Sequence, residues 1–169
     1  MKLYLHGHDY KYAAEQMLLS LYPAERPEYP DGKPEGNRAE ISLSRGEKFT
    51  TSVCKLCIDG TAFYGKAAFS SALATDGIST DKLCQRVIKN AFYRAALNAG
   101  HKRPAWGALT GVRPGKLFCS IMAESDADTA VRRFMSEYDV TKERAELCRD
   151  TSLVTVSLAD GLDRRDICL

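Results

Sequence analysis

The hydrophobic positions switch between two periods along the chain, and each switch marks an element. Leu3 and Leu5 alternate within residues 2–5 and predict a short strand with both side chains on one face. Ala13, Ala14, Met17, Leu18 and Leu21 then recur at helical spacing, predicting a helix from about Tyr10 to Tyr22 with Asp9 as its N-cap. Alternation returns in residues 39–44, with Ile41 and Leu43 inward, and continues through residues 49–58 and 61–69. Asp59-Gly60 joins the last two as a hairpin, and Arg45-Gly46-Glu47-Lys48 makes the preceding turn. Consecutive, turn-linked strands predict an antiparallel meander. The period then becomes helical again. Leu83, Val87, Ile88, Ala91, Phe92, Ala95 and Ala99 form the apolar stripe of a long helix, opened by Thr80 and stopped by Gly100.

Three shorter helices follow. Pro114 suits a first helical position and opens one that runs through Leu117, Phe118, Ile121 and Met122 to about Ala123. Ser125 caps the next, over residues 126–138, which buries Val131, Phe134 and Met135. Thr141 opens the last, from Lys142 to about Leu158, with Leu147, Val154 and Leu158 in phase. Residues 151–158 are rich in β-branched side chains and also fit a strand; the helical pattern beside them decides for helix. Residues 23–37 hold four of the six prolines (Pro23, Pro27, Pro30, Pro34) with Gly32 and Gly36, a density that excludes helix and paired strand and predicts a surface loop. The expected fold is α+β. An antiparallel sheet of about four strands, in the order β-α-β-β-β-α, is covered on one face by the first and long helices and followed by a three-helix segment. Residues 1–100 form the sheet domain, 101–160 a helical segment packed on it, and 161–169 a connector. Ile167-Cys168-Leu169 begins a new apolar run that stops as a strand opens, so the chain reads as part of something longer.

Composition adds exclusions. With 44% hydrophobic and 27% charged residues the chain is ordinary globular material. No apolar run approaches the roughly 18–20 residues of a membrane span, and the N-terminus carries no signal-peptide core, so the expected location is the cytoplasm. Six cysteines there are expected to be reduced thiols. Cys54 and Cys57 make a C-x-x-C motif, but on a strand positions three apart face opposite sides, and no second pair stands at zinc-site spacing. They read as core or surface thiols. His6 and His8 share a face if the first strand reaches them, yet no third metal ligand accompanies them, and they read as polar loop residues.

The net charge of +2 is unevenly spread. Lys82, Arg86, Lys89, Arg94, Lys102, Arg103, Arg113 and Lys116 lie in a segment without a single Asp or Glu, which predicts a positive face aimed at an anionic partner. Its bland counterpart is a solvated helix face whose cations pair with acids from elsewhere in the fold. Such a basic helix on a small sheet fits a nucleic-acid-binding module. Against that, sheet-face aromatics in an RNA-binding spacing are lacking and the whole chain is nearly neutral.

The densest stretch is Trp106-Gly107-Ala108-Leu109-Thr110-Gly111-Val112-Arg113-Pro114-Gly115-Lys116-Leu117. It is not a nucleotide-binding P-loop, because Thr110 stands where the first glycine belongs and Leu117 where a magnesium-binding hydroxyl belongs. Gly111 and Gly115 keep side chains from the helix start, leaving backbone N–H groups open to an anion, and Arg113 and Lys116 add charge. The candidate anion-binding residues are Arg113, Gly115, Lys116 and Arg103. Trp106, Gly111 and Pro114 are candidate structural anchors, with Trp106 docking the three-helix segment on the sheet domain. The bland alternative is a tight turn between two helices.

The same block resembles the N-terminal region of oxygen-independent coproporphyrinogen III oxidase-like radical-SAM proteins of the Firmicutes type, most clearly from Trp106 to about Leu158. The resemblance implies an oxidoreductase of haem biosynthesis that decarboxylates two propionates of coproporphyrinogen III. It further implies a [4Fe–4S] cluster and S-adenosylmethionine in a radical-SAM barrel beyond residue 169. The family's C-x-x-x-C-x-x-C signature is absent from these residues, so no catalytic or metal-binding residue carries over, and the chain's expected partners are that barrel and an anionic porphyrinogen. Substrate docking, barrel capping and partner binding are all compatible with an accessory domain of this kind.

Overall fold

The computed structural model of the protein describes residues 1–161, the side chains of 159–161 excepted. Residues 162–169 of the expected connector, Cys168 among them, lie outside the described residues, while Gly161 belongs to the last helix. The chain divides into two compact units, Met1–Arg103 and Pro104–Leu169.

The first unit runs β1 (Lys2–His6), α1 (Lys11–Leu21), β2 (Arg38–Arg45), β3 (Phe49–Ile58), β4 (Thr61–Ser70), a 3-10 turn (Ser71–Leu73) and α2 (Gly77–Asn98). The class is α+β, but the sheet, ordered β1-β2-β3-β4, is mixed rather than purely antiparallel. β1 pairs with β2 in parallel, Leu3 beside Ala39 and Leu5 beside Ile41. The reason is the intervening helix: α1 carries the chain back to the end of the sheet from which β1 began, so the next strand must run the same way. β2, β3 and β4 form the expected meander. Asp59 and Gly60 both take positive φ, 48° and 80°, the conformation of a tight two-residue hairpin turn.

Alternation fills one face of this sheet with Leu3, Ile41, Cys54, Leu56 and Phe69, all buried, as are Met17 and Leu18 of α1 and Val87, Ile88 and Phe92 of α2; α2 packs on β2, β3 and β4, and α1 packs against α2. α2 crosses β4 so closely that a Cβ on Gly65 would overlap the carbonyl oxygen of Ala91 and the nitrogen of Ala95. Only glycine permits that approach. Both sheet edges are closed. Leu3 N–H donates to the Glu28 carbonyl at 2.7 Å and Glu28 N–H to Met1, so the proline-rich loop, expected to pair with nothing, forms a bridge along β1. At the opposite edge Arg94 and Asn98 of α2 donate to the Lys66 and Tyr64 carbonyls at 2.6 and 2.7 Å. Side-chain donors thereby occupy carbonyls that would otherwise invite another strand.

The second unit holds α3 (Pro114–Met122), α4 (Ala127–Tyr138) and α5 (Lys142–Gly161). Phe118, Ile121, Ala130, Phe134, Val140, Ala145 and Cys148 form its core, with the Phe118 and Phe134 rings edge-to-face at 5.4 Å. Val131 and Met135, expected inside, are only partly buried.

Three caps and one helical phase differ from expectation. α2 starts at Gly77 and is capped by Asp76, which accepts the Ser79 N–H at 2.8 Å; Thr80 lies inside the first turn. Asp126 rather than Ser125 caps α4, accepting the Thr129 N–H, while the Ser125 hydroxyl donates back to the Ile121 carbonyl. Asp9 caps nothing; His8 Nδ1 accepts the Tyr10 N–H at the entry to α1. In α5 the inward face is Ala145, Cys148 and Ser152, whose small side chains allow close packing. Leu147, Val154 and Leu158 point away instead, 46%, 58% and 63% exposed.

Candidate functional site

The block around Trp106 is a junction within the second unit. Ala108 N–H donates to the Tyr138 carbonyl at 2.8 Å and Thr141 N–H to the Ala105 carbonyl at 3.0 Å, lacing residues 105–108 to the α4–α5 turn. Gly107 takes φ +55°, and a Cβ there would collide with the carbonyls of Tyr138 and Asp139. Asp139 answers with its own left-handed conformation at φ 57°. Trp106 packs partly buried against the helical core, with the Arg144 guanidinium 5.5 Å from its ring centroid. This places the indole in a cation–π contact inside its own unit.

Past the junction, Gly111 at φ +69° redirects the chain. Arg113 is the N-cap residue of α3, with no side-chain hydrogen bond closing the cap, and Pro114 occupies the first turn as expected. Pro114 lacks an N–H, and Leu117 N–H already donates to the Arg113 carbonyl, so Gly115 and Lys116 carry the N–H groups that face outward. A Cβ on Gly115 would meet nothing within 4 Å; the absent side chain leaves this helix start open, and no close packing demands it. Arg113 and Lys116 are both exposed. Arg113, Gly115 and Lys116 are therefore brought together on one helical turn, whereas Arg103 belongs to the other unit.

The basic zone does not form one continuous face. Lys89 is half-buried and donates to Gln16 Oε1 at 2.6 Å, and burial holds its ammonium below the usual lysine pKa. Arg94 is committed to the sheet edge, and Lys82 is exposed. Cys54 lies on the helix-covered side of β3 and Cys57 on the other; burial pushes the Cys54 thiol well above its ordinary value. Among the described residues no group of three or more His, Cys, Asp or Glu side chains converges as a metal site. His8 Nε2 lies 3.2 Å from the Ile41 carbonyl, so both ring nitrogens are engaged in local structure.

One surface escaped sequence reasoning: the uncovered face of the sheet. Over β1 and β2 the proline-rich loop folds across it. The Tyr4 hydroxyl reaches the Lys33 carbonyl at 3.5 Å and Lys2 pairs with Glu35 at 3.4 Å. Glu40 accepts from Arg38 at 2.8 Å and Lys55 at 3.4 Å. Burial alone would raise its pKa, and these two cations outweigh burial to hold it below the usual carboxylate value. Over β3 and β4 the face is open, with Phe49 59% and Tyr64 56% exposed. The signal was available, since the Asp59-Gly60 turn sets the register that puts Lys55 opposite Tyr64 and Val53 opposite Lys66.

Among the described residues no helix is long and apolar enough to cross a membrane. No family model matches the chain, and neither a curated protein nor a solved structure is similar to it.

Proposed function

We propose that the chain is the N-terminal, non-catalytic domain of a cytoplasmic oxygen-independent coproporphyrinogen III oxidase-like radical-SAM protein. The reading rests on the resemblance of the Trp106 block, and one structural observation carries it further: the uncharged end of α5. From Thr151 to Leu158 there is no charged residue, and Leu153, Val154, Val156 and Leu158 are all exposed. β-branched side chains are weak helix formers, and helices in water are held mainly by packing of an apolar face. A second body covering those turns would supply that packing, which suits an accessory domain docked on a catalytic barrel. The cluster in that barrel would supply the electron that cleaves S-adenosylmethionine; this chain's own part is docking and anion binding. Arg113, with the N–H groups of Gly115 and Lys116, offers a forked guanidinium and a helix start to a propionate carboxylate.

The test is anaerobic. A polypeptide that carries the proposed barrel after residue 169, reconstituted with iron and sulfide, is expected to convert coproporphyrinogen III when given S-adenosylmethionine, and Arg113→Ala to weaken its binding of a tetracarboxylate porphyrin. The 169-residue chain alone is expected to stay colourless and iron-free. A reconstituted protein that leaves coproporphyrinogen III intact, or stoichiometric charge-transfer absorption in the short chain, overturns the reading.

A further inference from the structure

We infer that the open β3–β4 face binds single-stranded nucleic acid. The register places Phe49, Thr51, Val53 and Lys55 of β3 on the same side as Tyr64, Lys66 and Ala68 of β4. Neither strand contains an Asp or Glu. The nearest carboxylate on this face is Glu40 of β2, and it is already held between Arg38 and Lys55. Two aromatic rings therefore stand on a surface to which β3 and β4 contribute no acid, with Thr51, Val53, Lys66 and Ala68 between them, where the sequence reading expected no sheet-face aromatics suited to RNA. Six residues of strand between Phe49 and the Lys55–Tyr64 pair, at roughly 3.4 Å each, put the rings about 20 Å apart. The charge and the geometry are complementary to a strand that carries a phosphate per nucleotide and has bases free to stack. Bases stack on exposed aromatics of a sheet while flanking cations take the phosphates. A duplex has its bases already stacked internally and gains nothing from Phe49 and Tyr64.

The surface differs from the basic helix expected from sequence. Lys89 and Arg94 of α2 are committed within the fold, whereas Lys66 offers its ammonium on the open face. The inference owes nothing to the Trp106 block, so it stands or falls independently of the proposed enzyme.

The experiment is fluorescence anisotropy of the 169-residue chain with a labelled decauridylate, the matching duplex, and polyglutamate as competitor. Single strands are expected to bind at low salt and the duplex more weakly. Tyr64→Ala and Phe49→Ala should each weaken binding about 5-fold or more, as loss of one stacked base predicts. Lys66→Ala should weaken it and lower the salt slope by about 0.7, and Lys82→Ala should do neither. All four positions are exposed, and circular dichroism confirms that each variant is folded. Absent binding, a preference for duplex, equal losses from Lys82→Ala, or indifference to both aromatic substitutions overturns the inference. Displacement by polyglutamate at lower concentration than by RNA reassigns the face to an acidic protein.

Discussion

The two units solve the same burial problem unequally. In the sheet unit, α1 and α2 cover one whole face, side chains and a loop bridge guard both edges, and the rings of Phe92 and Tyr93 are fully enclosed. Among the described residues of the helical unit, a cluster of seven buried side chains forms the core, and the longest helix runs on for two turns with apolar side chains in solvent. The lesson is that helical periodicity shows which residues share a stripe and leaves open which stripe is covered. Leu147, Val154 and Leu158 do share a face of α5; the covered one belongs to Ala145, Cys148 and Ser152.

The largest effect that sharpens this contrast comes from the smaller core. Phe134→Ala removes a fully buried ring, at a cost of roughly 3–5 kcal/mol. Trp106 is the sole tryptophan and belongs to the same unit, so its emission follows that unit during urea unfolding. The expected result is a much lower midpoint by tryptophan emission; an unchanged midpoint contradicts the assigned core.

Two glycines of the Trp106 block should then part company. Gly107→Ala forces a side chain into the Tyr138 and Asp139 carbonyls at positive φ and should cost about 1–3 kcal/mol or more. Gly115→Ala meets open space in the first turn of a helix and should be neutral or stabilise by about 0.5–1 kcal/mol. Thermal melts of the two variants decide whether the block is a junction at one end and an open helix start at the other.

A smaller effect belongs to the sheet unit alone. His8 accepts at Nδ1 and lies against the Ile41 carbonyl at Nε2, an arrangement that assigns a neutral ring with its proton on Nε2. Burial, the largest influence, lowers its pKa below 6.5. As the pH falls through about 6.5 the unfolded chain takes up a proton that the folded ring refuses, so stability declines from there down to the folded value and is unaffected above it. His8→Ala should remove this acid-side decline from urea midpoints measured between about pH 7 and 5, at the cost of a lower plateau.

Most elements were legible because their signals are local. The long helix, the Asp59-Gly60 hairpin and Pro114 at the head of α3 each follow from a few neighbouring residues. What failed depends on distant ones. The parallel pairing of β1 and β2 is imposed by the path of α1, and the sheet-edge role of Arg94 by where α2 crosses β4. Ser125 and Thr80 are good caps by type, yet Asp126 and Asp76 stand one and four residues away and take the N–H groups. In the candidate site Arg113, Gly115 and Lys116 were legible as one turn. Arg103 was tied to them by sequence proximity alone; the boundary expected after residue 100 put it with them, whereas it is the last residue of the other unit.

Hydrogen exchange along α5 tests most directly the claim that its apolar end is a surface awaiting a partner. In the 169-residue chain the amides of residues 151–158 should exchange orders of magnitude faster than those at the centre of α2. In a polypeptide that carries the proposed barrel after this chain, the same amides should become protected. Protection already present in the short chain, or exchange that stays fast in the longer one, would contradict it.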